Sequence, residues 1–155
     1  MNTILLHILN GIAITATAVV FGTDVFFALV GKKAAAMSKE PSVADLMGHF
    51  HEVADARMPV IGVTAILTTL LQVIFAGIQS IPGQLATISL AALLVHLLIY
   101  FTVSKPLNNI MVEGVKFGRV VENIRQLQQH WDKVFDLRAV LQLIAITALV
   151  LVNYL

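Results

Sequence analysis

The sequence predicts an all-α protein, a four-transmembrane-helix bundle made of two helical hairpins. Three observations predict it. The chain of 155 residues is 58% hydrophobic and only 12% charged, with a mean hydropathy of +0.88, far from ordinary soluble composition. Four stretches are apolar over the roughly 20 residues that a hydrocarbon core demands. All ten Lys and Arg residues fall in or beside two of the three connections.

The whole chain, 1–155, reads as one integral membrane domain. The first span covers about 3–30. The second, "MPVIGVTAILTTLLQVIFAGI", covers 58–78, and the third, "GQLATISLAALLVHLLIYFTVS", covers 83–104. The fourth runs over 137–155, with Tyr154 suited to an interfacial aromatic belt. The β-branched residues and glycines disfavour helix in water. In lipid every backbone group must be satisfied internally, so helix is expected.

Residues 79–82, "QSIP", form a tight uncharged turn. Lys32, Lys33, Lys39 and Arg57 belong to the first connection; Lys105, Lys116, Arg119, Arg125, Lys133 and Arg138 belong to the third. The positive-inside rule then puts both connections on the cytoplasmic side of the cell (inner) membrane, with the N-terminus, turn and C-terminus outside. Both connections carry amphipathic segments, about 41–57 and 107–136. Pro41 suits a first helical turn. Val43, Leu46, Met47, Phe50 and Val53 make one apolar stripe, and Val120, Val121, Ile124 and Leu127 another, expected to pack on the bundle or lie at the headgroups.

Two stretches repeat. "HFHEVADAR" (49–57) and "HWDKVFDLR" (130–138) match at His49/His130, Val53/Val134, Asp55/Asp136 and Arg57/Arg138, with an offset of 81 and no gap. The simplest account is a duplicated hairpin, giving parallel repeats about a pseudo-two-fold along the membrane normal. Such an axis is expected to bring both stretches together on the cytoplasmic side. Within each, His, Val and Arg share a helix face.

These residues admit three readings. Arg57 and Arg138 snorkel to the headgroups while Asp55 and Asp136 pair with cations. Alternatively His49, His51 and His130 coordinate a metal with a neighbouring carboxylate. Or His49, His130, Asp55, Asp136, Arg57 and Arg138 form a proton-handling catalytic pocket. Asp24 is the only acid outside the charged connections; the offset of 81 pairs it with Lys105 as a cross-repeat ion pair, and a substrate contact is the alternative. His96, in the third span, is expected to bond a neighbouring helix or to ligate a haem, with His7 as the second axial candidate. No cofactor, a metal and a haem all stay open.

"KPLNNIM" (105–111), followed about twenty residues later by Trp131 and Arg138, together with "FGTDVFFAL" (21–29), resembles the anthrone-oxygenase-like family of small four-helix membrane proteins. Fungal members are linked to oxygenation of polycyclic anthrones to quinones. The resemblance implies that Pro106, Leu107, Asn108, Trp131 and Arg138 carry the site. Asn108 would bond a carbonyl or phenolate oxygen, Arg138 would stabilise an anion and His130 would act as base. Family members often carry Asn-His before that arginine, where this chain has Phe135, Asp136 and Leu137.

A net charge of +1 offers no basic face for nucleic acid. The absence of cysteine removes disulfides and thiolate sites. Two classes of function remain. One is a membrane oxidoreductase or oxygenase acting on an apolar aromatic or quinone-like molecule at the cytoplasmic half of the bundle. The other is a non-catalytic assembly partner or accessory subunit, homo-oligomeric or bound to another membrane protein, or a haem- or metal-binding membrane protein.

Overall fold

The computed structural model describes residues 3–154. Helix α1 (Thr3–Phe26) runs through a five-residue π-turn (Phe27–Gly31) into α2 (Lys32–Met37). Helix α3 (Glu40–Ala76) is continuous, so the amphipathic segment and the second span are one rod. Helix α4 (Ile81–Ile99) runs through a second π-turn (Tyr100–Ser104) into α5 (Lys105–Lys116). After residues 117–123 come α6 (Ile124–Asp132), α7 (Phe135–Leu151) and a 3-10 turn (Val152–Tyr154). Four of these helical runs are long and apolar enough to cross a membrane. The expected fold class is therefore found; the first helical run continues to Met37, and the segment 107–136 holds most of α5, all of α6 and the start of α7.

The hairpin between α3 and α4 follows from local chemistry. Gly77 takes φ +76°, which a side chain would disfavour. Ser80 then caps α4 by accepting from the Gly83 N–H at 3.1 Å. Across the bundle α1 packs on α3 and α7, and α4 packs on the same two, so the four long helices form a square with sequence neighbours adjacent. The interior is lined by small residues, among them Ala13, Ala65, Ala86 and Ala145. Lipid supplies no hydrophobic drive between helices, and small side chains let backbones approach for dispersion contact instead.

The charged end is tied together separately. Phe27, Val43, Met47, Met111, Ile124, Trp131 and Phe135 form one buried cluster. Gly48 permits α5 to lie against α3: a Cβ there would come within 2.8 Å of the Met111 carbonyl oxygen. Arg125 on α6 donates to the carbonyls of Ala35 (2.7 Å) and Ser38, closing the end of α2. Of the two predicted stripes, Val43, Met47 and Ile124 are buried, while Leu46, Val53 and Val120 face outward.

The two hairpins correspond, with one correction to the ungapped offset. The π-turns begin at Phe27 and Tyr100, and each is followed by a lysine, Lys32 and Lys105, so the first arms match at an offset of 73. The second arms keep 81. The longer connection around 117–123 absorbs the difference. Two ion pairs obey the resulting two-fold: Lys105 with Asp55 at 3.0 Å, and Lys32 with Asp136 at 3.3 Å. Each joins the lysine of one hairpin to the aspartate of the other.

Candidate functional site

The two stretches that carry the repeat do meet, but through their aromatic residues. Phe27 contacts both Phe50 (ring centroids 4.9 Å) and Trp131 (5.1 Å), and His51 contacts Trp131 at 4.6 Å. His49 and His130 are exposed. His49 lies 3.8 Å from Asp45 and 3.7 Å from Glu52, and the His130 Nδ1 is 2.8 Å from the Gln126 carbonyl. Arg57 is also exposed, because the position matching Asp24 in the second hairpin is Leu97, an apolar residue that gives it no acid. These residues do not converge, and among the described residues no group of three His, Asp or Glu side chains is placed to hold a metal.

What converges is a different set. Asp24 is completely buried. Its Oδ1 lies 2.8 Å from Arg138 Nη2, and its Oδ2 lies 2.9 Å from His96 Nε2. The cross-repeat pair expected with Lys105 is not made, because that pairing assumed an ungapped offset through the first arms. Arg138 also donates through Nη1 to Ser104 Oγ at 2.9 Å and stacks its guanidinium over Phe135. It does not snorkel.

His96 Nε2 also lies 3.2 Å from Arg138 Nε. One ring nitrogen cannot donate to the carboxylate and accept from the guanidinium at the same time. With Nε2 protonated, His96 donates to Asp24; with Nε2 bare, it accepts from Arg138 Nε–H while Arg138 Nη2 still holds Asp24. The cluster thus supports two proton arrangements in one geometry. His96 is accordingly engaged by a neighbouring helix. His7 lies 17 residues before Asp24 on α1, about 25 Å along the axis at 1.5 Å per residue, so the two histidines cannot clasp one haem iron.

A second network sits beside the first. Asp55 accepts from Tyr100 Oη at 2.8 Å, from Lys105 Nζ at 3.0 Å and from Asn108 Nδ2 at 3.1 Å. Asn108 Oδ1 accepts from the Trp131 indole N–H at 2.8 Å. Asn108 is therefore committed to protein partners on both ends. Local irregularity makes this possible. The π-turn at 100–104 brings Asn108 inward on the same face as Tyr100, and π-turns often occur at functional sites. Pro59 has no N–H to offer the carbonyl of Asp55, one turn back.

Both networks border one cavity of about 390 Å³ at the charged end, walled otherwise by apolar residues such as Val20, Met58, Val63, Leu93, Leu97 and Phe101. Val63 and Phe101 are exposed on the outer surface of α3 and of the π-turn after α4, so the cavity reaches the apolar flank of the bundle. His51 also lines it. Its ring is buried and its Nε2 has no protein partner. Tyr100, Lys105, Ser104 and Gln142 belong to the site but were not singled out for it in the sequence.

Fold and site together define a four-helix membrane bundle enclosing an apolar cavity with two neutralised charge clusters on its wall. No protein-family model, no curated protein and no solved structure matches the chain.

Proposed function

We propose that this chain is a membrane oxidoreductase that takes a planar apolar molecule, bearing a carbonyl or phenol oxygen, from the bilayer and oxygenates it. The single observation that carries the reading is His51: an imidazole nitrogen without a partner in a cavity that also presents the Arg138 guanidinium. His51 Nε2 accepts a proton from a ring C–H made acidic by a carbonyl conjugated with it across the ring system. The electron pair delocalises onto the substrate oxygen, where the N–H groups of Arg138 not committed to Asp24, Ser104 or His96 stabilise it. Dioxygen takes electrons from this carbanion, and loss of water from the peroxide leaves a new carbonyl. The balance is R₂CH₂ + O₂ → R₂C=O + H₂O. The resemblance to anthrone-oxygenase-like proteins supports the same chemistry, with His51 replacing His130 as the base because His130 faces outward.

The confinement of the basic residues to one end supports a cytoplasmic placement of the cavity end. Single-cysteine variants labelled from outside test it: position 81 should react in intact cells, and position 120 only after permeabilisation.

Activity is tested with anthrone and dioxygen. Protein in nanodiscs should form anthraquinone faster than empty nanodiscs do, and His51→Gln should lower that rate by about 100-fold or more, as expected for loss of a general base. Equal rates with and without protein would remove the reading.

A further inference from the structure

All four long helices carry buried polar residues, and several of these lie beyond the cavity. On α1, Asn10, Thr17 and Asp24 recur every seven residues and so share one face. On α4, Ser89 stands seven before His96; on α7, Gln142 stands four after Arg138; α3 adds Thr69 and Gln72. Thr17 and Gln142 border the cavity together with Asp24 and Arg138. At the other end Asn10 donates to the Leu149 carbonyl at 3.0 Å and to Asn153 Oδ1 at 2.9 Å, and Asn153 is exposed. From Asp24 to Asn10 is 14 residues, about 21 Å of helix.

Polar side chains between membrane helices often serve only as adhesive, and Thr17 and Thr69 do bond their own backbone, to Ala13 and Ala65. Three polar atoms take no part in such bonds. Asn10 Oδ1, Ser89 Oγ and Gln142 Oε1 are buried acceptors with no protein donor. Each costs free energy unless something donates to it, and water is the donor that a polar interior supplies. Their heights along the bundle step from the cavity, through Gln142 and Ser89, to Asn10 near the turn end.

We propose that the bundle core is a hydrated polar path that gives protons access from the turn-end face to the Asp24–His96–Arg138 cluster. A proton entering near Asn10 and Asn153 passes from water to water, each accepting one proton and releasing another, and reaches His96 Nε2 or Asp24. The dual role of His96 Nε2, donor to Asp24 or acceptor from Arg138, lets the cluster receive it without a change of fold. This inference stands without the oxygenase reading, because it concerns water and protons alone.

Water-edited solid-state NMR on the full isotope-labelled chain in lipid bilayers reads the path directly, with water itself as the probe. The Gln142 and Asn10 side-chain amides and the Ser89 Cβ should gain magnetisation from water at least fivefold faster than lipid-facing Val140. Transfer at those sites no faster than at Val140 overturns the proposal and leaves helix adhesion as their role. A second measurement addresses the protons. Vesicles containing the protein and a pH dye, polarised by a potassium gradient with valinomycin, should take up protons at least threefold faster than vesicles with Gln142→Met at equal protein content. Equal uptake also overturns the proposal, whatever the assay with anthrone shows.

Discussion

The Trp131 indole N–H donates to Asn108 Oδ1, and Asn108 passes its own amide hydrogens to Asp55, so one side chain links α6, α5 and α3 beneath the cavity. Asn108→Leu strands a buried indole N–H and takes a donor from Asp55. The expected loss of stability is about 2–4 kcal/mol, since unmet buried groups cost more than the bond itself contributes. Trp131 is the only tryptophan, so its emission, shifted to the blue when the hydrogen bond is removed, reports the same event. Unchanged emission and unchanged unfolding in detergent would show that the bond is idle.

Arg138→Gln should cost about 3–5 kcal/mol, because it leaves the Asp24 carboxylate buried without its cation. Adding Asp24→Asn should recover most of that loss. A double-mutant cycle on detergent unfolding measures the coupling, and additive losses would contradict it.

The two symmetry-related ion pairs should differ in strength. Lys32 and Asp136 are largely exposed, while Asp55 is nearly enclosed. Lys32→Met should change stability by less than about 0.5 kcal/mol. Lys105→Met should cost about 1–2 kcal/mol, as expected for a hydrogen bond to a charged group. Thermal unfolding of the two variants side by side decides whether burial or symmetry governs.

Glycines separate the cavity from the scaffold. Gly62 lines the cavity, and a Cβ there would meet nothing within 4 Å. Gly62→Leu should therefore fold normally yet abolish quenching of Trp131 by an added aromatic ligand. Gly48→Leu should instead prevent α5 from docking on α3 and lower the melting temperature by several degrees. Loss of folding in both variants would mean that Gly62 is structural too.

Much of this was legible in the sequence. The four apolar helices and the segregation of basic residues follow from how water and lipid treat charge, and those rules act on local composition. Asp24 stands out in the sequence for the same reason, as a carboxylate out of place, whereas Asn108 and Trp131 are pointed to only by the family resemblance, and Arg138 by that resemblance and the repeat. The most obvious repeat misled. His49 and His130 stand at matching positions, yet both point outward, because a repeated residue keeps its position along a helix but not the neighbour it meets. Tyr100 could not be distinguished from an ordinary aromatic in "LLIYF", since its value lies in reaching Asp55, a contact 45 residues away in sequence. In the sequence His51 reads as a metal ligand or as one of several groups able to move protons; its lack of a partner is visible only in three dimensions.

The π-turn at Tyr100–Ser104 also changes what counts as a small mutation. A plain helix continuing inward from His96 would direct residues 103, 107 and 110 toward the centre; the observed inward positions are Ser104, Asn108 and Met111. The chain there holds one residue more than the α-helical count, as if a letter had been slipped into the text. Removing Val103 would return the run to the α-helical count, and Ser104, Asn108 and Met111, each one place earlier, would then fall on the plain helix's inward positions. Lys105 and Asn108 would keep their reach to Asp55. At this point the molecule can be shortened by one residue while its inventory of reactive groups stays in place.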